Sequence, residues 1–355
     1  MHGLVVVSLA VSFAVALAAT PFAARLARLA GVIDRPGGHK GQDEAVPLLG
    51  GLAVFGALAV SVAVIVLRVY FAREGACAAA AEQLEADGGI LRFGAIGAGA
   101  VVIFLVGLAD DRWDLSPRLR IAVEVLVAAG LVAAGVRVTA MVHWRWVGAV
   151  LTVLWIVGIT NAFNLLDNMD GLSAGVAAVA ALAFFVVTVQ TDQWMLALLF
   201  VAVAGASAGF LVHNLHPARV YMGDSGALLL GYLLASLSVV ATYYRYSFES
   251  VVPLVTPLLI LAIPVFDTAS VFFIRWREGR PFFVGDRCHF SHRLVDAGMS
   301  VRAAVGTIHL LTLAMGIGAA MLLAPESARG LLTLVQAVII LTVVALLETA
   351  GRRKT

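Results

Sequence analysis

Lysine is almost missing from this chain: Lys40 and Lys354 stand alone against 22 arginines. Charged residues of both signs make up only 13% of 355 positions, while 61% are hydrophobic. A water-soluble surface cannot be built from so little charge, so a soluble globular protein is excluded. There are two cysteines, Cys77 and Cys288, with no CxxC spacing, which excludes a disulfide framework and a cysteine-rich metal site. No repeat of fixed period, no low-complexity tract and no polar stretch long enough for a separate domain is present. The hydrophobic residues come in long blocks, which defines an all-α, polytopic membrane protein forming one integral-membrane domain over residues 1–355.

Eleven spans are predicted, near 2–22, 49–71, 91–110, 118–136, 146–164, 172–190, 194–213, 226–244, 251–274, 302–323 and 329–348. The first could pass for a signal peptide, but its positive charges, Arg25 and Arg28, follow the apolar run, so a retained span is expected. An odd number of spans puts the termini on opposite sides. Of the 24 basic residues, 17 fall on the side of the C-terminus. The excess of basic residues inside therefore predicts an inner-membrane protein with the N-terminus outside and the C-terminus cytoplasmic. Cys77 and Cys288 then lie on opposite sides of the bilayer. The same topology gathers the polar motifs on the cytoplasmic face, in loops near 23–48, 110–118, 164–172, 213–226 and 275–301. The outward loops are featureless.

The stretch around which the rest is organised is NAFNLLDNMDGLSAG, Asn161 to Gly175. Five carboxylate or carboxamide side chains (Asn161, Asn164, Asp167, Asn168 and Asp170) interrupt the apolar sequence there. A short inter-helix turn needs one cap, not five oxygen ligands. If the helix runs through, Asn161, Asn164 and Asn168 share one face. In DDRWD, Asp110, Asp111 and Asp114 sit where a span meets water. Adjacent carboxylates repel unless a cation lies between them. Arg112, Arg118 and Arg120 could supply that charge in place of a metal.

YMGDSG, from Tyr221, opens a span. Backbone N–H groups at a helix start suit a phosphate, and Asp224 suits a hard cation. In DRCHFSHRL (Asp286 to Leu294), two histidines and two arginines, among them His289, His292 and Arg293, are packed around an acid, a cluster that would suit a diphosphate. Glu124 and Asp267 lie within spans and are functional candidates by that position.

In this order, DRPGGHK…PLLGG, DDRWDLSPRLRI, NAFNLLDNMDGLSAG, HNLHPARVYMGDSGALLLG, PVFDT and DRCHFSHRL resemble the polyprenyl-phosphate N-acetylhexosamine-1-phosphate transferases. The resemblance implies attack of a lipid phosphate on the β-phosphorus of a UDP-N-acetylhexosamine, giving a lipid-diphosphate sugar and UMP. The cofactor it implies is Mg²⁺, with Mn²⁺ as a substitute. The implied partners are the UDP-sugar, the polyprenyl phosphate and membrane lipid, not nucleic acid; a homodimer is left open.

By this resemblance Asn164 and Asp224 match the metal-coordinating positions, and Asp110 and Asp111 the pair that binds or deprotonates the lipid phosphate. Lys40 matches a lipid-phosphate contact, His289, His292 and Arg293 the diphosphate loop, and Asp170, Asn214 and Tyr221 the uridine contacts, with Tyr221 stacking on uracil. Asp114, Asp167, Asp267 and Asp286 are further polar candidates. The sequence departs from the family at His39 and Gln42 in the first loop, at Ser291 where a second histidine is usual, and at Asn168 where glycine is frequent. Ser291 favours the N-acetylglucosamine branch over the muramoyl-pentapeptide branch.

Two other classes are weaker. The D-x-x-D-G signature of the CDP-alcohol phosphotransferases begins at Asp167, but Gly175 stands where arginine is needed. A lipid-linked glycan flippase or transporter would be built around Glu124 and Asp267, yet transporters place such charges at the midplane.

Overall fold

A computed structural model describes residues 2–34, 45–72, 74–86, 88–139, 144–241, 252–281 and 288–323, with isolated positions between 334 and 344. Lys40 and Asp286 lie outside the described residues, as does most of the last span expected at 329–348.

The described chain is helical, apart from two residue pairs that form a small antiparallel ladder. Its elements are α1 (His2–Ala30), β1 (Ile33–Asp34), β2 (Val46–Pro47), α2 (Gly50–Phe71), α3 (Ala76–Glu85), α4 (Gly89–Trp113), α5 (Pro117–Ala133) and α6 (Arg145–Leu166). There follow α7 (Leu172–Gln190), α8 (Trp194–Asn214), α9 (Gly223–Val240), α10 (Val252–Ile260), α11 (Ala262–Glu278), α12 (Phe290–Asp296) and α13 (Val301–Leu322). Among the described residues, eight helices are long and apolar enough to cross a membrane. Their outward surface is hydrocarbon-compatible: Leu105, Leu126 and Leu154 are all more than half exposed. Exposed Trp113 and Trp276 at one end, and Trp144 and Trp146 at the other, mark the two interfaces where amphipathic rings settle.

Three expectations about the spans change. The fourth span is slightly shorter than predicted: α5 is 17 residues long and ends at Ala133, short of the expected 136. The ninth is not one helix but two, α10 and α11, parted at Leu261. The outward loop after α2 is not featureless, since it folds into α3, whose Gln83 receives the N–H of Met195 at the start of α8.

Sequence chemistry accounts for the helix boundaries. Ser116 accepts the N–H of Leu119 and Pro117 occupies the first turn of α5, where its missing N–H costs nothing. Ser300 caps α13 in the same way. Between lipid-facing helices there is no hydrophobic drive, so association rests on close packing of small residues. Gly205 and Gly209 of α8 press on the backbone of α1, which makes α1 an integral part of the bundle. Helices α7, α8 and α9 form the centre, and α9 is flanked by α2, α4 and α6. A side chain on Gly51 or Gly107 would meet the α9 backbone at Gly226 or Ser225 at 2.3 and 2.5 Å, so both glycines are needed to bring α2 and α4 so near. The first turn of α9 is thus held on all sides, and the polar residues converge on it.

Candidate active site

Asn161–Gly171 is a hub from which successive polar residues reach different elements. Helix α6 ends at Leu166, so only Asn161 and Asn164 share a helical face, and Asn168 belongs to the turn that follows. Asn161 donates to Glu124 on α5, and Asn164 donates to Asp224 on α9. Asn168 accepts from Ser291 on α12 at 2.5 Å. Asp170 accepts from the N–H of Ala218 at 3.0 Å and pairs with His216 at 2.8 Å. Gly171, at a φ of +75° that favours glycine, gives its N–H to Asn214 at 3.0 Å. Asp167 caps α6 and is half-buried.

The densest cluster joins four helices. Arg120 of α5 bridges two carboxylates, bonding to Asp110 and, at 3.1 Å, to Asp224. Asp110 is buried, and its second oxygen accepts the N–H of Leu115 at 2.6 Å. Asp111 accepts the backbone N–H groups of Asp224 and Ser225 at 2.6 and 3.2 Å. The first turn of α9 was expected to offer those N–H groups to a phosphate. Instead Asp111 takes them, as a carboxylate at the positive end of a helix should. Gly223 makes this possible: its φ is +72°, and a Cβ there would lie 2.6 Å from Asp111 and 2.5 Å from the carbonyl of Leu48. Asp224 remains the open acid of the cluster, with 35% of its side chain exposed. Asp114, in the left-handed region at φ +50°, ends α4 and faces out.

The three expected uridine contacts come together, but as a brace between loops. Asn214 is buried with both amide ends occupied, by the Gly171 N–H and the Val220 carbonyl. Tyr221 is 3% exposed and packs on Val46 and Ala218, so its ring offers no open face for stacking in this arrangement. Its backbone continues the brace, linking Pro47 at 2.8 Å and Gly50 at 2.9 Å, and so ties β2 and the start of α2 to the segment before α9.

In the basic segment, His289 is buried against Asp267 at 2.8 Å, and Asp267 also accepts the N–H of Phe290 at 2.6 Å. Asp267 therefore secures the start of α12. Arg293 is buried as well, donating to the Cys288 carbonyl and to Ser270 at 2.8 Å. His292 is the half-buried member, its ring 6.4 Å from that of His289.

Among the described residues no three His, Cys, Asp or Glu side chains are close enough to hold a metal by themselves. Mg²⁺ is commonly bound through one or two carboxylates together with substrate phosphates. Asp224 and the side-chain oxygen of neighbouring Asn164 are the residues that could hold such an ion.

Sequence reasoning named Arg120 only as a rival to a metal and missed His216. The Arg120 signal was present: it lies one turn before Glu124 on α5, opposite Asn164 and Asn161, which are one turn apart on α6.

Fold and site define an all-α polytopic membrane protein with one oxygen-rich centre where the ends of several helices meet. The family model for glycosyl transferase family 4 matches residues 93–242, which carry the whole Asp110–Arg120–Asp224 cluster. A Bacillus subtilis protein described as a probable undecaprenyl-phosphate N-acetylglucosaminyl 1-phosphate transferase is 31% identical over 326 residues, 90% of this chain and 85% of the relative. A Yersinia pestis undecaprenyl-phosphate alpha-N-acetylglucosaminyl 1-phosphate transferase is 29% identical over 79% of this chain and 74% of its own. The decaprenyl-phosphate N-acetylglucosaminephosphotransferase of Mycobacterium tuberculosis is 30% identical over 63% of this chain and 61% of its own. The chain belongs to glycosyl transferase family 4.

Proposed function

We propose that the protein transfers N-acetylglucosamine 1-phosphate from UDP-N-acetylglucosamine to a polyprenyl phosphate at the cytoplasmic face of the inner membrane. A phosphate oxygen of the lipid bonds to the β-phosphorus of the nucleotide sugar. The bond from that phosphorus to the bridging oxygen breaks, and UMP leaves with the bridging oxygen. The names of the relatives supply the acceptor and the sugar. The observation that carries the reading is the Asp110–Arg120–Asp224 bridge beside Asn164, set at the helix ends where a lipid headgroup lies.

Two anionic phosphates approach one another only if fixed positive charge offsets their repulsion. Arg120 supplies one such charge. Asp224 and Asn164 would hold Mg²⁺, which when bound neutralises the diphosphate and polarises its phosphorus. Asp110 and Asp111 lie at the mouth of α4, beside the lipid phosphate. In this reading one of the two accepts any proton the phosphate retains once its present partners give way, and Asp111 also fixes the first turn of α9 and hence the position of Asp224. His292, Arg293 and Lys40 belong to the diphosphate and lipid-phosphate contacts, and Asp170, Asn214 and Tyr221 shape the nucleotide end. The excess of basic residues on the side of these loops supports a cytoplasmic site.

The test is release of UMP from UDP-N-acetylglucosamine by purified protein given polyprenyl phosphate and Mg²⁺. A lipid-diphosphate sugar should appear in equal amount. UMP release that does not depend on the lipid, or none with any UDP-sugar of a panel, overturns the reading.

A further inference from the structure

Helices α5 and α6 face each other through two polar rungs, one turn apart. In the first, Arg120 and Asn164 both bond to Asp224. In the second, Glu124 and Asn161 bond to each other. The second rung touches none of the groups assigned to substrate or metal, yet Glu124 is only 1% exposed. A carboxylate is not buried there for packing.

Two atoms in these rungs are unsatisfied. Oε1 of Glu124 and Nε of Arg120 are both buried, and neither has a hydrogen-bond partner among the described residues. One is an acceptor and the other a donor, on side chains at i and i+4 of the same helix, a spacing that lets them meet. Buried polar atoms left unpaired are costly, so a complementary pair one turn apart points to a second arrangement in which they bond.

We propose that Glu124 is a positioning residue that receives the Nε–H edge of Arg120 when the guanidinium gives up Asp224. This rests on the reading of Asp224 as the metal-binding acid. A divalent cation and a guanidinium on one carboxylate oxygen repel each other, so Arg120 must yield when Asp224 turns to a cation. With Glu124 behind it, Arg120 can step back without losing its charge partner and can keep its bond to Asp110. Asn161 holds the other oxygen of Glu124 and so aims the free one at α5. Glu124 thereby lowers the cost of exposing Asp224.

The test uses the full chain in detergent, with Mn²⁺ as the probe and its binding followed by electron paramagnetic resonance, without substrate or turnover. Glu124→Gln keeps the shape and the link to Asn161 but no longer offers Arg120 an anionic acceptor. Its Mn²⁺ affinity should fall about tenfold or more, the scale of one charge-assisted hydrogen bond, while the melting temperature stays that of the native protein. Arg120→Lys removes the Nε–H edge, and in that background Glu124→Gln should have no further effect. Native affinity in Glu124→Gln, or additive losses in the double variant, overturns the proposal and leaves the metal site standing. If the native protein binds no Mn²⁺, the metal assignment falls and the role of Glu124 falls with it.

Discussion

Ser291 donates a hydrogen bond to Asn168 at 2.5 Å, linking the two positions in the basic segment and the organising stretch where the resemblance implied a different residue. The bond joins α12, with its histidines, to the turn after α6. The hydroxyl and the carboxamide oxygen form one contact, so each side chain matters here only while the other faces it. Ser291→Ala or Asn168→Gly alone should cost about 1 kcal/mol in positioning α12, seen as a severalfold drop in kcat/KM for the UDP-sugar. Combining them should add little beyond either, since one bond is lost in each case. A double-variant loss equal to the sum of the singles would show that the pair does not act together.

Asp224→Asn should lose most activity while the protein still inserts and elutes as a folded species. Arg120 keeps its bond to Asp110, so the helices stay joined, but the open oxygen-donor acid is gone. Raising UDP-sugar should not restore turnover, because the defect lies in the cation. Near-normal turnover at ordinary Mg²⁺ would remove Asp224 from the metal site.

The role of Asp110 can be read from pH. A phosphate monoester has a second pKa of about 6, so rising pH leaves less lipid phosphate that still carries a proton. A base matters less under those conditions, and Asp110→Asn should recover part of its activity toward alkaline pH. Asp224→Asn should not recover, because hydroxide does not replace a metal ligand. If Asp110→Asn stays flat with pH and instead needs more Mg²⁺, Asp110 acts through Arg120 and not on the lipid phosphate.

Gly223→Ala introduces a methyl group about where Asp111 and the Leu48 carbonyl already stand, in a backbone region that disfavours alanine. The expected result is loss of activity together with a lower melting temperature. Gly94→Ala, which meets nothing within 4 Å, is the matched control. Equal stability of the two variants would show that the first turn of α9 can shift.

Cys77 lies in α3, at the far end of the bundle, and Cys288 just before α12 at the site end; both are half-buried and neither is in a disulfide. An impermeant thiol reagent should mark Cys77 on intact cells and reach Cys288 only after the membrane is opened. The reverse pattern would invert the topology and move the site outside.

The chain determined its class through composition alone. Long apolar blocks with 13% charge can fold only as membrane helices, and seven of the predicted spans lie within three residues of α2, α4, α5, α6, α7, α8 and α13 at each end. Polar residues that interrupt such blocks must serve a purpose, so Asn164, Asp110, Asp111 and Asp224 were legible as candidates before any packing was known. Their partners were not. Residues 110, 120, 164 and 224 meet only because Gly51, Gly107 and Gly223 let three segments close on one helix end. Whether an acid is open to a ligand or consumed by a backbone is a matter of a few ångströms. That distance separates Asp224, left partly exposed, from Asp111, which is spent on the N–H groups of α9. It also separates the buried His289 and Arg293 from the half-buried His292, three residues the sequence had grouped as equals. Spacing along a chain records which side chains are near in sequence, and only the crossing of helices decides which of them face one another.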